Sequence, residues 1–129
     1  MRDLREYVNH YVAQLTGPGA DDAWHSLVDA GPAALPHLVD AFNRTGDRRV
    51  RVYLVQIISE YRSTEGITFF ETLLKSDDAE IWKAALDGLV TLGGEAALHA
   101  LSTAGASAAP EKQTWLDEAR KQINLNLQR

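Results

Sequence analysis

Four histidines stand near carboxylates at helical spacing, and chemistry would be sought there first. Glu6 and His10, His25 and Asp29, and His37 and Asp40 lie three or four residues apart. Residues at those separations share a helix face, so each pair could poise a base or offer two metal ligands. A metal centre needs three or four ligands converging, and the chain has no cysteine and no His-x-x-x-His. No metal and no cofactor are expected. No serine sits in a nucleophile elbow, and the glycine pairs Gly17/Gly19 and Gly93/Gly94 read as helix stops, not as a phosphate loop. The carboxylate pairs Asp21/Asp22 and Asp77/Asp78 read as helix caps. No catalytic residue is assigned, and the expectation is a protein that is not an enzyme.

These side chains are carried by a chain of 129 residues with a net charge of −5. That length suits one domain, which buries about two-thirds of its unfolded surface. An acidic balance argues against nucleic acid or an anionic membrane as partner, since either needs a dominant basic surface. No stretch approaches the about 18 consecutive apolar residues of a membrane span, and the first 15 residues lack the apolar run of a signal peptide. A cytoplasmic location and a monomer are expected. The charge is uneven: residues 1–43 carry −4, 44–62 carry +3, 63–99 carry −5 and 100–129 carry +1. Arg44, Arg48, Arg49, Arg51 and Arg62 form the basic stretch. It could be an anion site, or a solvated turn paired with neighbouring carboxylates, and the second reading is preferred.

Hydrophobic periodicity predicts helices throughout. Leu4, Tyr7, Val8, Tyr11, Val12 and Leu15 mark one face of an opening helix, with Arg2, Asp3, Arg5, Glu6, Asn9, His10 and Gln14 outward. Asp21 or Asp22 is expected to cap the next helix, and Gly31 and Pro32 to make the turn after it. The stretch 47–62 is apolar over a wide arc and so belongs at the centre. In 77–101, Ile81, Ala84, Ala85, Leu89 and Leu92 line one face, Gly93 and Gly94 stop the helix, and a second helix starts near Glu95. Residues 102–110, rich in Ala, Ser and Gly, read as a loose connection. Pro110 opens a last helix that frays beyond Asn124, with Trp115, Leu116, Ala119 and Ile123 inward.

The unit 77–101 recurs. Asp47, Val50, Tyr53 and Leu54 align with Asp78, Ile81, Ala84 and Ala85, and Leu35, Ile67 and Leu98 align at shifts of 32 and 31. A fixed period in that range marks helix pairs that bury their apolar faces by stacking. These residues resemble the HEAT-repeat family, particularly short bacterial units of the form D-x-E-V-R-x-A-A-x-A-L-G-x-L-G-x-x-x-A-L-x-x-L. The resemblance covers roughly residues 20 to 105 and is best at 78–101. Trp82 stands where that family usually has Arg, so Asp47/Arg51 is the one intact copy of the Asp–Arg ladder that the resemblance implies.

The expected fold is therefore all-α: an α-solenoid of about three stacked helix-turn-helix repeats (20–105) between an N-terminal cap helix (1–16) and a C-terminal cap helix (110–127). In such stacks the second helix of each pair lines the concave side. The resemblance then places Pro36, His37, Asp40 and Asn43, then Thr68, Glu71, Thr72 and Lys75, then His99, Ser102 and Thr103 on that surface. Trp24 and Trp115 are expected in the core. Trp82, one residue off the Ile81/Ala85 face, either anchors a partner or lies over a neighbouring helix, and it joins the binding candidates. The resemblance implies a protein-interaction module taking a partner protein with a basic patch. The runner-up is an immunity or antitoxin protein that plugs a basic toxin site. A HEAT-like DNA glycosylase or bilin lyase ranks last, because no basic groove or chromophore-binding residues are found.

Overall fold

Short side-chain caps fix where three of the helices begin. The computed structural model describes residues 3–128; Met1, Arg2 and Arg129, counted above in the cap helix and the domain, lie outside the described residues. Eight α-helices follow in order: α1 (Leu4–Val12), α2 (Ala20–Ala30), α3 (Leu35–Arg44), α4 (Arg48–Glu60), α5 (Ile67–Leu74), α6 (Ala79–Leu92), α7 (Gly94–Gly105) and α8 (Pro110–Leu127). Two single-turn 3-10 segments, Pro32–Ala34 and Thr64–Gly66, lead into α3 and α5. The fold is all-α, and no strand occurs among the described residues.

Asp47 Oδ1 accepts from the amides of Arg49 (2.9 Å) and Val50 (3.3 Å), and Asp78 Oδ1 accepts from Glu80 (3.0 Å). Each satisfies first-turn donors that have no partner within the helix. Asp3 does the same for α1 through the Glu6 amide at 2.8 Å. The expected cap at Asp21 or Asp22 is not formed. α2 begins at Ala20 behind Gly19, and both carboxylates lie inside the first turn, where they favour the positive end of the helix dipole. At the far ends, Gly31 (φ 80°) and Gly93 (φ 67°) adopt left-handed backbone that a side chain would strain.

The helices sit beside one another in an order set by the chain. α2, α4, α6 and α8 are successive neighbours, with the most extensive packing between α4 and α6. α3 packs on α4, α5 on α6 and α7 on α8, while α1 meets α2 and α3 and α5 meets α7. α4 therefore has neighbours on several sides and buries Val50, Leu54, Val55, Ile57 and Ile58. Two phenols tie the first helices together: Tyr7 donates to the Ser26 carbonyl at 3.1 Å and Tyr61 to the Leu27 carbonyl at 2.5 Å. Burial, with Tyr7 nearby, pushes the Tyr61 phenol above its ordinary range. Lys112 of α8 donates to the carbonyls of Leu74 and Ser76, both at 2.8 Å, placing an ammonium on the negative end of α5.

The end of one helix and the places of two tryptophans differ from the periodicity reading. α7 runs to Gly105, so the connection to α8 is short, 106–109, and not the loose 102–110 segment. α8 has the bounds expected for the cap helix, Pro110–Leu127. Trp115 is 47% exposed and not in the core, and Trp82 is only 6% exposed. α8 lies along α6 and covers the Trp82 face, and the two indoles meet edge to face with centroids 5.9 Å apart.

The arginine cluster is largely committed to the fold. Arg44 pairs with Asp40 at 3.0 Å and donates to Asn9 at 3.0 Å. The Asp47/Arg51 pair is absent. Arg51 donates to the Thr45 carbonyl at 2.8 Å and its guanidinium lies 4.9 Å over the Phe42 ring, while Asp47 is occupied as a cap. The charged link between the start of α4 and the start of α6 is instead Arg48–Asp78 at 2.7 Å. Burial alone would raise the Asp78 carboxyl. The hydrogen bond and charge of Arg48 and the amides of Glu80 and Ile81 outweigh it and hold the group below its ordinary value. A depressed carboxyl stabilises the fold above its unfolded pKa and loses that contribution as pH falls through the folded one. Asp78→Asn should therefore lower the melting temperature slightly near neutral pH, and by less in acid below the ordinary carboxylate range. An equal loss at both pH values would show that the charge is not what Asp78 contributes.

Candidate functional site

Most of the residues that could meet a partner lie along α3 and α5. These helices run side by side without close packing along their length, and Phe42 and Phe69 bridge them edge to face at 5.2 Å. An open groove of about 530 Å3 runs between them, lined by Leu35, Pro36, Val39 and Asn43 from α3 and by Glu65, Thr68, Phe69, Thr72 and Leu73 on the α5 side. The spacing explains the lining. Leu35/Val39 and Phe69/Leu73 are each four apart and so repeat on one helix face. Thr72 turns its hydroxyl onto the Thr68 carbonyl at 3.0 Å, which leaves its methyl group as the outer surface.

The groove gathers Asn43, Thr68 and Thr72 from the sequence-predicted binding residues, together with Pro36. The others do not converge with them. His37 and Glu71 are half-buried, and Asp40 is exposed and paired with Arg44. His99 is exposed on α7. Lys75 lines a separate cavity of about 160 Å3 with Trp82, Ala104, Lys112 and Leu116. Trp82 is buried and cannot be the exposed anchor. It carries Lys112 at 5.4 Å and Lys83 at 5.6 Å from its ring centroid, and Lys83 also sits 4.4 Å over Trp115. Asp40 and Glu71 do not line this groove, and Glu65 is the one charged residue that does.

Further carboxylates line a separate groove between α4 and α6. A groove of about 400 Å3 there is lined by Glu60, Glu80 and Asp87 with Lys83, Gln56 and Ser59. Burial raises the Asp87 carboxyl above its ordinary value. This group escaped the sequence reading because Glu60 and Asp87 belong to different units. Only the α4–α6 packing joins them.

The histidine pairs form no ion pair among the described residues. His10 Nε2 instead meets Gln14 Nε2 at 2.8 Å. Among the described residues no three His, Cys, Asp or Glu side chains converge as metal ligands, and no helix is long and apolar enough to cross a membrane. The α3–α5 surface offers an apolar floor, small polar walls and one carboxylate. Comparison with known proteins adds no identity, since no protein-family model and no curated protein matches the chain.

Proposed function

We propose that the chain is an α-solenoid of about three HEAT-like helix pairs (α2/α3, α4/α5, α6/α7) between two capping helices, acting as a non-enzymatic protein-interaction module. The shifts of 32 and 31 between Leu35, Ile67 and Leu98 support the repeat assignment, as does the packing of each pair's second helix on the first helix of the next. The partner protein docks on the α3–α5 face. The observation that carries this reading is the open α3–α5 groove, in which half-buried Val39 and Phe69 lie between the nearly buried edges of Leu35 and Leu73.

Affinity capture from the source cells followed by mass spectrometry tests it. Thr68→Arg, at an exposed wall position, fills the groove without touching the core. A genuine partner should be recovered with the wild-type chain and reduced at least about tenfold with Thr68→Arg, the scale of a lost central contact. Thr114→Arg with Leu125→Arg, both exposed on α8, should not change recovery. Loss with the α8 variant and retention with Thr68→Arg would move the interface to the end of the stack and refute the proposal.

A further inference from the structure

The groove also constrains what kind of segment can occupy it. Both walls are helices whose backbone donors and acceptors are bonded within the helix, so neither offers a free edge. An extended peptide laid there would find no main-chain partners and would leave its own amide groups unpaired against an apolar floor. A helix carries its hydrogen bonds internally and presents only side chains. The apolar floor is built for that geometry: Leu35 and Val39 on one wall and Phe69 and Leu73 on the other are each one helical turn apart. From Leu35 to Asn43 the groove follows α3 for about 12 Å at about 1.5 Å per residue. Two turns of a docked helix, bearing apolar side chains at i, i+3 or i+4, and i+7, match that length.

Charge then selects among such helices. Glu65 is exposed, forms no ion pair among the described residues and is the one charged residue lining the trough. A partner carboxylate placed there would be repelled, and a lysine or arginine beside the apolar stripe would pair with it. We infer that the α3–α5 groove binds a short amphipathic helix of the partner protein, seating its apolar stripe over Val39 and Phe69 and a Lys or Arg on Glu65. This rests on the proposed interaction role and deepens it, naming the partner element and moving the charge determinant from Asp40 and Glu71 to Glu65.

Panning a library of displayed random 15-residue peptides against the whole chain tests it without knowledge of the natural partner (the length covers about two turns with flanks). Enriched peptides should share apolar residues at helical spacing with an adjacent Lys or Arg. Measured by calorimetry, their affinity should fall about fivefold with Glu65→Lys, as for a rim ion pair, and at least tenfold with Thr68→Arg. Unchanged melting temperatures would show both variants folded. Peptides weakened by Thr68→Arg but indifferent to Glu65→Lys, or acidic in consensus, would leave the docking face standing and overturn the charge assignment. Peptides lacking helical spacing would overturn the helix. No enrichment, or binding indifferent to both variants, would overturn the inference and the docking face together.

Discussion

Phe70→Ala should cost about 3–5 kcal/mol of unfolding free energy, the range for deleting a buried aromatic ring. The ring is 2% exposed and belongs to α5, yet its edge lies where α4, α5 and α6 meet. It fills the space over Gly88 of α6 and approaches Gly66 ahead of α5. Removing it leaves a void with no small neighbour able to move in, because the surrounding helices are held by the Arg48–Asp78 and Lys112 contacts on either side. Urea denaturation followed by circular dichroism would measure the loss. A cost below about 1 kcal/mol would mean that the site collapses freely and that the ring is not a wedge.

Gly88→Ala is the complementary experiment, and its sign is informative. In an exposed helix interior, alanine in place of glycine stabilises by about 1 kcal/mol. Here an added Cβ would lie 2.6 Å from Ser59 Oγ and 2.8 Å from two carbons of the Phe70 ring. Ser59 is not free to yield, since its hydroxyl donates to the Val55 carbonyl at 2.8 Å. Overpacking of this kind costs about 1–3 kcal/mol, so the expected result is destabilisation. Gly46→Ala, where a Cβ would meet nothing within 4 Å, should be neutral or slightly stabilising and serves as the control. Because Gly88 and Phe70 touch, Phe70→Leu should relieve part of the Gly88→Ala cost, a coupling of about 0.5–3 kcal/mol in a double-mutant cycle. A stable Gly88→Ala protein would show that α4 and α6 are further apart than described.

The places where sequence reading succeeded share a local cause. Asp78 announces a helix start because its oxygen reaches an amide two residues on, and Gly31 and Gly93 announce ends because only their own backbone is involved. The all-helical fold and the central position of α4 follow from periodicity alone. The failures are tertiary. Trp82 looked peripheral because its own helix places it one residue off the Ile81/Ala85 face, and nothing within 79–92 reveals that α8 lies there. Trp115 looked internal for the same reason reversed: it fits the apolar stripe of α8, whose packing centres on Leu116, Ala119 and Ile123. The small and polar residues 102–105 suggested a loop, but Ala104 packs against the core and keeps α7 helical. Of the groove lining, Asn43, Thr68 and Thr72 stand among the positions that the family resemblance implied. The groove that sets Glu60 of α4 beside the Glu80–Asp87 side of α6 was not legible in the sequence, because it depends on which helices become neighbours.

The order in which those neighbours lie has a kinetic consequence. All substantial helix contacts join elements one or two places apart in the chain, so no contact must wait for a distant segment. Each loop closed during folding is short, and its entropy cost grows only slowly with length. Chains dominated by such local contacts reach the native state in about microseconds to milliseconds, far faster than folds that pair remote strands. Folding can begin wherever two adjacent helices first hold together, with α4 and α6 the pair that makes the most contact. The same locality lets α1 or α8 open and reclose while the middle stays formed, giving the two ends a lifetime of their own in hydrogen exchange.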